Sequence, residues 1–203
     1  MISVIIPTYN SAETLVKILE SIYKNDFKDF EVIVVDDASS DNTSEVIKGY
    51  LVKYVLLESN RGAAFARNKG SELAKGDILL FVDADSEIEE DLLRHVHEQF
   101  RVSDYDVISG AFAKEPKIEN VFLLFISTLS NYNFSRTDFA FSTHLAAIRK
   151  KTFIELGAFD EYYKSATTED FDLFYRLITN GYKCKTNMKM VGYHNHNFTF
   201  LLY

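Results

Sequence analysis

Apolar and polar positions along the first hundred residues switch between two periods. Ser3–Ile6 is a short β-rich run. Leu15, Ile18, Leu19 and Ile22 then recur at i, i+3, i+4 and i+7, which predicts a helix from Ala12 to Tyr23. Asn10 with Glu13 predicts a capping box at its start. The alternation repeats three times. Phe30–Val35, Tyr54–Leu57 and Ile78–Val82 read as strands. Asp41–Tyr50, Ala63–Ala74 (closed by Gly76) and Glu89–Arg101 read as helices. Strand and helix in this order predict an α/β fold, with a mostly parallel central sheet flanked by helices.

The regularity breaks after Val107–Ser109. Ile118–Asn131 reads as an apolar helix, Ser135–Thr143 as a polar and aromatic loop, and Leu145–Ile148 as a short strand. A helical turn at Thr152–Leu156 ends at Gly157. Glu169–Asn180 is a helix with Phe171, Phe174, Tyr175 and Ile178 as its expected apolar stripe and Gly181 past its end. Lys185–Met188 and Val191–His194 are expected as closing strands. No repeat, low-complexity tract or linker interrupts the pattern, so residues 1–203 are expected to form a single domain with two subregions.

Composition narrows the function classes. Apolar residues make up 47%, enough for a full core. The net charge of −8 argues against a nucleic-acid surface, which needs a basic footprint. It leaves room for a nucleotide ligand whose charge a metal offsets. One cysteine, Cys184, excludes an internal disulfide and a cysteine metal cluster; a small buried thiol in a reducing compartment fits. No signal peptide or membrane span is visible, so a cytoplasmic location is expected. The apolar patch Val121–Ile126 and the aromatic end Phe198–Tyr203 suggest peripheral contact with the inner face of a membrane, although core packing explains the patch equally well. The same ending suggests that the natural chain continues past Tyr203.

Ligands of open α/β sheets bind beyond the carboxyl ends of the strands, and polar clusters stand at four such ends here. They are Pro7-Thr8-Tyr9-Asn10, Asp36–Asp41, Asn60–Asn68 and Asp83-Ala84-Asp85-Ser86. Asp83 and Asp85 read either as turn residues or as carboxylates for a hard divalent cation shared with phosphates. Asp37 reads as a helix-capping group or as an acceptor for a base N–H, which favours uracil. Tyr9 is a packing residue, a platform for the base, or both. Arg67 is either a solvated surface arginine or a counter-charge for a diphosphate. Glu169 and Asp170 suit a helix N-terminus, with Thr167 as cap partner of Asp170, and equally suit a general base beside a metal. His194 and His196 share one face of a strand, so one of them is a candidate ligand. His95 and His97 read as surface residues, and His144 stays open.

This ordered set resembles the family 2 glycosyltransferases of GT-A fold. Ala147-Ile148-Arg149-Lys150, Gly157-Ala158-Phe159-Asp160-Glu161 and Glu169-Asp170-Phe171-Asp172 extend the resemblance over nearly the whole chain. Each motif is weak alone; their order makes the match specific. The resemblance implies a donor half at 1–110 and an acceptor half at 111–203. It implies a nucleotide-diphosphate-sugar donor, expected to be UDP-linked, a divalent metal (Mn2+ or Mg2+), and inversion at the anomeric carbon. The acceptor is expected to be a glycan or a lipid-linked saccharide.

Carried onto this chain, the resemblance puts Pro7, Thr8 and Tyr9 in the base pocket, Asp37 on the base and Arg67 near the donor. Asn10, Asn60, Gly62 and Ala84 complete the donor-side set. Asp83 goes to the ribose or the metal and Asp85 to the metal. His194 is a third metal ligand, with His196 as its competitor, and Asp170 is the catalytic base. On this reading the repulsion between Asp83 and Asp85 is relieved only when the metal arrives.

The chain also departs from the family pattern. It has no tryptophan and so no Gln-x-x-Arg-Trp motif, which argues for transfer of a single sugar rather than processive synthesis. Ser142-Thr143-His144 stands where many relatives carry a Gly-Asn-type stretch, which leaves the sugar open.

Rival readings fit less well. Pro7–Thr14 has no Gly, Lys or Arg, which disfavours a nucleotidyltransferase or a G-x-G-x-x-G dinucleotide site. A haloacid-dehalogenase-type phosphatase would carry its Asp-x-Asp after the first strand, not the fourth. A catalytically inactive nucleotide-sugar-binding module, or another metal-dependent nucleotide or phosphate enzyme, is the alternative. The intact Asp83, Asp85 and Asp170 disfavour the inactive module.

Overall fold

A computed structural model describes residues 1–113, 142–163 and 168–194. β1 (Ile2–Thr8) lies inside the sheet between β2 (Phe30–Asp36) and β4 (Ile78–Val82), parallel to both. Its side chains alternate between two cores. Ile2, Val4 and Ile6 face the core made with α1 (Ala12–Lys24) and α4 (Leu92–Val102). Ile5 faces the core built from α3 (Ala63–Leu73), α5 (Lys150–Glu155) and α6 (Thr168–Thr179). A strand covered on both faces needs apolar residues at successive positions, hence the unbroken Ile-Leu-Leu-Phe-Val of β4.

The remaining elements are α2 (Thr43–Ile47), β3 (Lys53–Leu56), β5 (Ser86–Ile88), β6 (Val107–Phe112), β7 (Leu145–Arg149) and β8 (Cys184–His194). The eight strands among the described residues run in the order β3-β2-β1-β4-β7-β6-β8-β5. The β3-β2-β1-β4 half is parallel throughout. β7 is antiparallel to both β4 and β6, β8 is parallel to β6, and β5 is antiparallel to β8. The sheet is therefore mixed, with parallel pairs in the majority.

Several boundaries differ from the sequence reading. α2 is a short turn of helix, not ten residues. Three-residue β5 was not foreseen, because Ser86–Ile88 is too short to show a period. β8 is one strand where two were expected. The capping box does not form: the Asn10 side chain accepts from Ser40 N–H at 2.8 Å, and α1 is met at Ala12 N–H by the Asp41 carboxylate at 3.1 Å. The stripe of α6 is also displaced. Leu173 and Leu177 are buried, whereas Phe171, Tyr175 and Ile178 are exposed. The expected helix Ile118–Asn131, the apolar patch Val121–Ile126, the aromatic end and His196 lie outside the described residues. Among the described residues, no helix is long and apolar enough to cross a membrane.

The registers bring one set of strand ends together. Thr8 pairs with Asp36, and Asp37 follows. Two residues past the Ile5/Phe81 pair stand Pro7 and Asp83. Val82 pairs with Leu145, and Asp83 N–H donates to the His144 carbonyl at 3.4 Å. Asp83-Ala84-Asp85-Ser86 is a turn closed by Ser86 N–H on the Asp83 carbonyl at 3.1 Å, and Ser86 pairs with His194.

Reaching that last pair requires an irregularity. β6 and β8 change register between Ser109 and Ala111. At Gly110, inside the shift, an added Cβ would lie 2.5 Å from Leu145 Cδ2 and 2.7 Å from the Met190 carbonyl oxygen. A carbonyl on the facing strand cannot swing aside as a flexible side chain can. Gly110→Ala should therefore destabilise the fold by roughly 1–3 kcal/mol, measured by urea unfolding; unchanged stability would mean that β8 yields easily.

Candidate active site

The strand ends enclose a cavity of about 760 Å³. Pro7, Thr8, Tyr9 and Asn10 form one wall, Asp83, Ala84 and Asp85 another, and Asp37, Ala63, Ala66 and Arg67 a third. The first turn of α1 and the Asp41-Asn42 pair close the rim. Tyr9 is half exposed at the mouth. Nine of the eleven residues expected on the donor side thus meet here, together with Glu13 and Thr14. Asn10 is fixed by two bonds, its N–H to Ser39 Oγ at 2.8 Å and its Oδ1 from Ser40 N–H at 2.8 Å. Its φ of +49° is one that asparagine tolerates better than most residues.

Asp37 is buried and committed. It accepts from Arg61 N–H at 2.6 Å and Gly62 N–H at 2.8 Å, one on each carboxylate oxygen. It therefore anchors the loop that enters α3. Gly62 adopts φ +91° there, a conformation that strains any residue with a Cβ. Gly62 serves by this backbone contact and Asn60 is exposed on the loop; neither lines the cavity.

Arg67 is not a solvated arginine. It is buried, with Nη2 2.9 Å from Asp83 Oδ1 and Nη1 2.9 Å from Glu169 Oε1. Its guanidinium links the turn after β4 to the first turn of α6. The expectation that only a metal offsets the charge at Asp83 is corrected, because Arg67 already does so. A buried guanidinium and a buried Glu169 each require such partners, since an unpaired buried charge costs several kcal/mol.

Asp170 stands next to Glu169, and its expected cap partner Thr167 lies outside the described residues. Thr143 donates to Asp170 through its N–H (2.9 Å to Oδ2) and its hydroxyl (2.8 Å to Oδ1, 3.0 Å to Oδ2). Burial raises the Asp170 carboxyl to about 6, although Arg67 and the Thr143 bonds pull the other way. Thr143 is a site residue that the sequence reading passed over, and its only signal was the departure Ser142-Thr143-His144. His144 is buried behind the turn, with Nδ1 3.0 Å from Ser142 Oγ. Cys184 packs against the second core, where burial pushes its thiol up to about 12; it is an unreactive packing residue.

Among the described residues, no three His, Cys, Asp or Glu side chains converge into a closed metal cage. Asp83 and Asp85 flank one residue on the cavity wall, and His194 lies across from Ser86 in the β5–β8 ladder. This donor set fits a hard cation held by one or two carboxylates together with substrate phosphates, as Mg2+ characteristically is.

The family model described as "Glycosyl transferase family 2" matches residues 3–161. The chain belongs to this family. Glycosyltransferase GlyG of Streptococcus pneumoniae serotype 4 is 31% identical over 132 residues, covering 63% of this chain and 44% of GlyG. The crystal structure of S. aureus TarS 1-349 in complex with UDP-GlcNAc superposes with TM-score 0.77 at 25% identity, over 98% of this chain and 59% of that one. Mannosyltransferase PcManGT from Pyrobaculum calidifontis superposes with TM-score 0.80 at 24% identity, over 98% of this chain and 58% of that one. The fold of this family 2 chain is therefore GT-A, and the chain spans about half the length of these relatives.

The buried pair gives a stability test. Arg67→Met leaves Glu169 without its counter-charge and should cost roughly 3–5 kcal/mol in urea unfolding. Glu169→Gln, which keeps Arg67 paired to Asp83, should cost less. A loss below about 1 kcal/mol in Arg67→Met would show that water reaches Glu169.

Proposed function

We propose that this chain transfers a single sugar from a nucleotide-diphosphate donor, with uridine as the base, to a hydroxyl of a glycan or lipid-linked acceptor, inverting the anomeric carbon. The observation that carries the reading is the junction at Arg67: one guanidinium joins the acidic turn on the cavity wall to the helix that bears Asp170, a half-buried carboxylate raised to about 6. Membership of glycosyl transferase family 2 and the UDP-GlcNAc held by the TarS relative support the donor class and a hexosyl or N-acetylhexosaminyl group.

In this proposal Pro7, Thr8 and Tyr9 hold the nucleoside. Both oxygens of Asp37 are already engaged by backbone N–H groups, so it reaches the base, if at all, through a remaining lone pair, and it shapes the pocket chiefly by fixing the Arg61-Gly62 loop. A divalent cation held by Asp83 and Asp85, with His194 as a further ligand, would supply charge stabilisation to the departing diphosphate. Asp170 takes the proton of the acceptor hydroxyl. That O–H bond breaks as the oxygen bonds to the anomeric carbon from the face opposite the departing diphosphate. The electron pair of the sugar–phosphate bond leaves with the nucleoside diphosphate.

Binding and chemistry can be tested separately. Calorimetric titration with UDP and GDP, with and without Mn2+, should show UDP binding that strengthens with the metal and is lost in Asp85→Ala. GDP binding as tight as UDP would sink the uridine assignment. Metal-independent binding would remove the role given to Asp83 and Asp85.

Asp170→Asn should still bind UDP yet lose roughly 10²–10⁴-fold in kcat. Because the base works ionised and its carboxyl titrates near 6, kcat/KM should fall as pH drops through about 6. An acid limb near pH 4, or none, would exclude Asp170 as the base.

A further inference from the structure

We infer that Thr143 is the positioning residue of the catalytic carboxylate, fixing the orientation of Asp170 and the oxygen that receives the acceptor's proton. The inference rests on the reading of Asp170 as the base. Among the described residues, the hydrogen bonds to Asp170 come from Thr143. Its amide N–H occupies Oδ2 at 2.9 Å. Its hydroxyl has one hydrogen and two oxygens in reach, Oδ1 at 2.8 Å and Oδ2 at 3.0 Å. A carboxylate gripped at two points by one residue cannot rotate freely about its last bond.

The arrangement also distinguishes the two oxygens. Oδ2 keeps the amide hydrogen whatever the hydroxyl does. When the hydroxyl hydrogen turns to Oδ2, Oδ1 is left with both lone pairs open, and it is the atom that takes the proton. The acceptor O–H bond breaks, a new O–H bond forms at Oδ1, and the hydroxyl of Thr143 keeps its own hydrogen throughout. No further reactant is needed.

Thr143 can do this because its own position is fixed. It is buried, and the next residue, His144, accepts the Asp83 N–H at 3.4 Å. Leu145 then pairs with Val82. The strand pair that delivers Asp83 to the cavity thus also holds the clamp on Asp170. The charged groups set against Asp170 are Arg67 from α3 and Glu169 from its own helix. Asp83 engages the other arm of the Arg67 guanidinium, and His144 engages Ser142. Only Thr143 donates hydrogen bonds to the carboxylate, among the described residues, so removing its hydroxyl leaves those charges in place.

The test uses Thr143→Val, which removes the hydroxyl at nearly constant shape, Thr143→Ser, which keeps it, and Thr143→Ala in case valine disturbs folding. The Asp170 carboxyl is titrated directly by carbon NMR, with Asp170→Asn for assignment, and UDP binding and thermal melting check the fold. Losing a hydrogen bond to the ionised form should raise the Asp170 titration by about one unit in Thr143→Val. The acid limb of kcat/KM should move with it, kcat should fall about tenfold, and KM for the donor should stay within about twofold. Thr143→Ser should restore the wild-type limb. A titration unmoved in both Thr143→Val and Thr143→Ala overturns the role of Thr143 alone. A titration that moves while the acid limb stays still overturns the reading of Asp170 as the base, and the positioning role with it.

Discussion

The site is organised around one buried cation. A guanidinium removed from water needs negative partners at close range, and Arg67 finds them on two separate elements, Asp83 after β4 and Glu169 at the start of α6. The pairing works only if α3 presents Arg67 at the right depth. That depth is set by the loop before it, which Asp37 holds by two backbone N–H groups. An aspartate after β2, a glycine in the left-handed region and an arginine one turn into a helix therefore form a single mechanical chain. Without the charge at Arg67, Asp83, Glu169 and Asp170 would crowd negative charge into one partly buried volume.

This explains why so many polar residues of the strand-end motifs bond to each other and not outward. Asn10 ties the end of β1 to Ser39 and Ser40, and Asp41 ties the start of α1 to Thr43. The cavity walls are held by hydrogen bonds made within the chain. Such walls lose little conformational freedom when a ligand arrives, so more of the contact energy remains for binding.

The sequence made the parallel half legible because its strands and helices carry strong, distinct periods and its polar clusters fall at strand ends. Most of the expected donor-side residues do meet in one cavity, including Asp83 and Asp85. The losses have physical causes. β5 is too short to show a period and forms only because β8 reaches it past the bulge at Gly110. The apolar stripe of α6 was misassigned because Leu173 and Leu177 are its buried apolar residues, while Phe171 and Tyr175 look equally apolar in one dimension. The carboxylate partners of Arg67 and the amide partners of Asp37 were not foreseen, because sequence spacing does not record which carboxylate or amide lies opposite. Thr143 carried no signal beyond the departure at Ser142-Thr143-His144; its contact with Asp170 spans a 27-residue separation.

The Asp170 carboxyl shows how these forces are ranked. Arg67 and two donors on Thr143 favour its ionised form, and Glu169 opposes them, yet burial outweighs the favourable interactions and lifts the group to about 6. The lift has a sign for stability. The folded protein holds this proton more tightly than the unfolded chain does. The stabilisation from that proton is complete below the ordinary carboxylate range and is lost as pH rises to about 6. At neutral pH the fold therefore carries an ionised carboxylate in a place where burial disfavours it. A residue kept under that strain suits a base better than a cap. Its basicity is raised by its surroundings, and in the role proposed for Thr143 the two donors of that residue set the direction in which the basicity points.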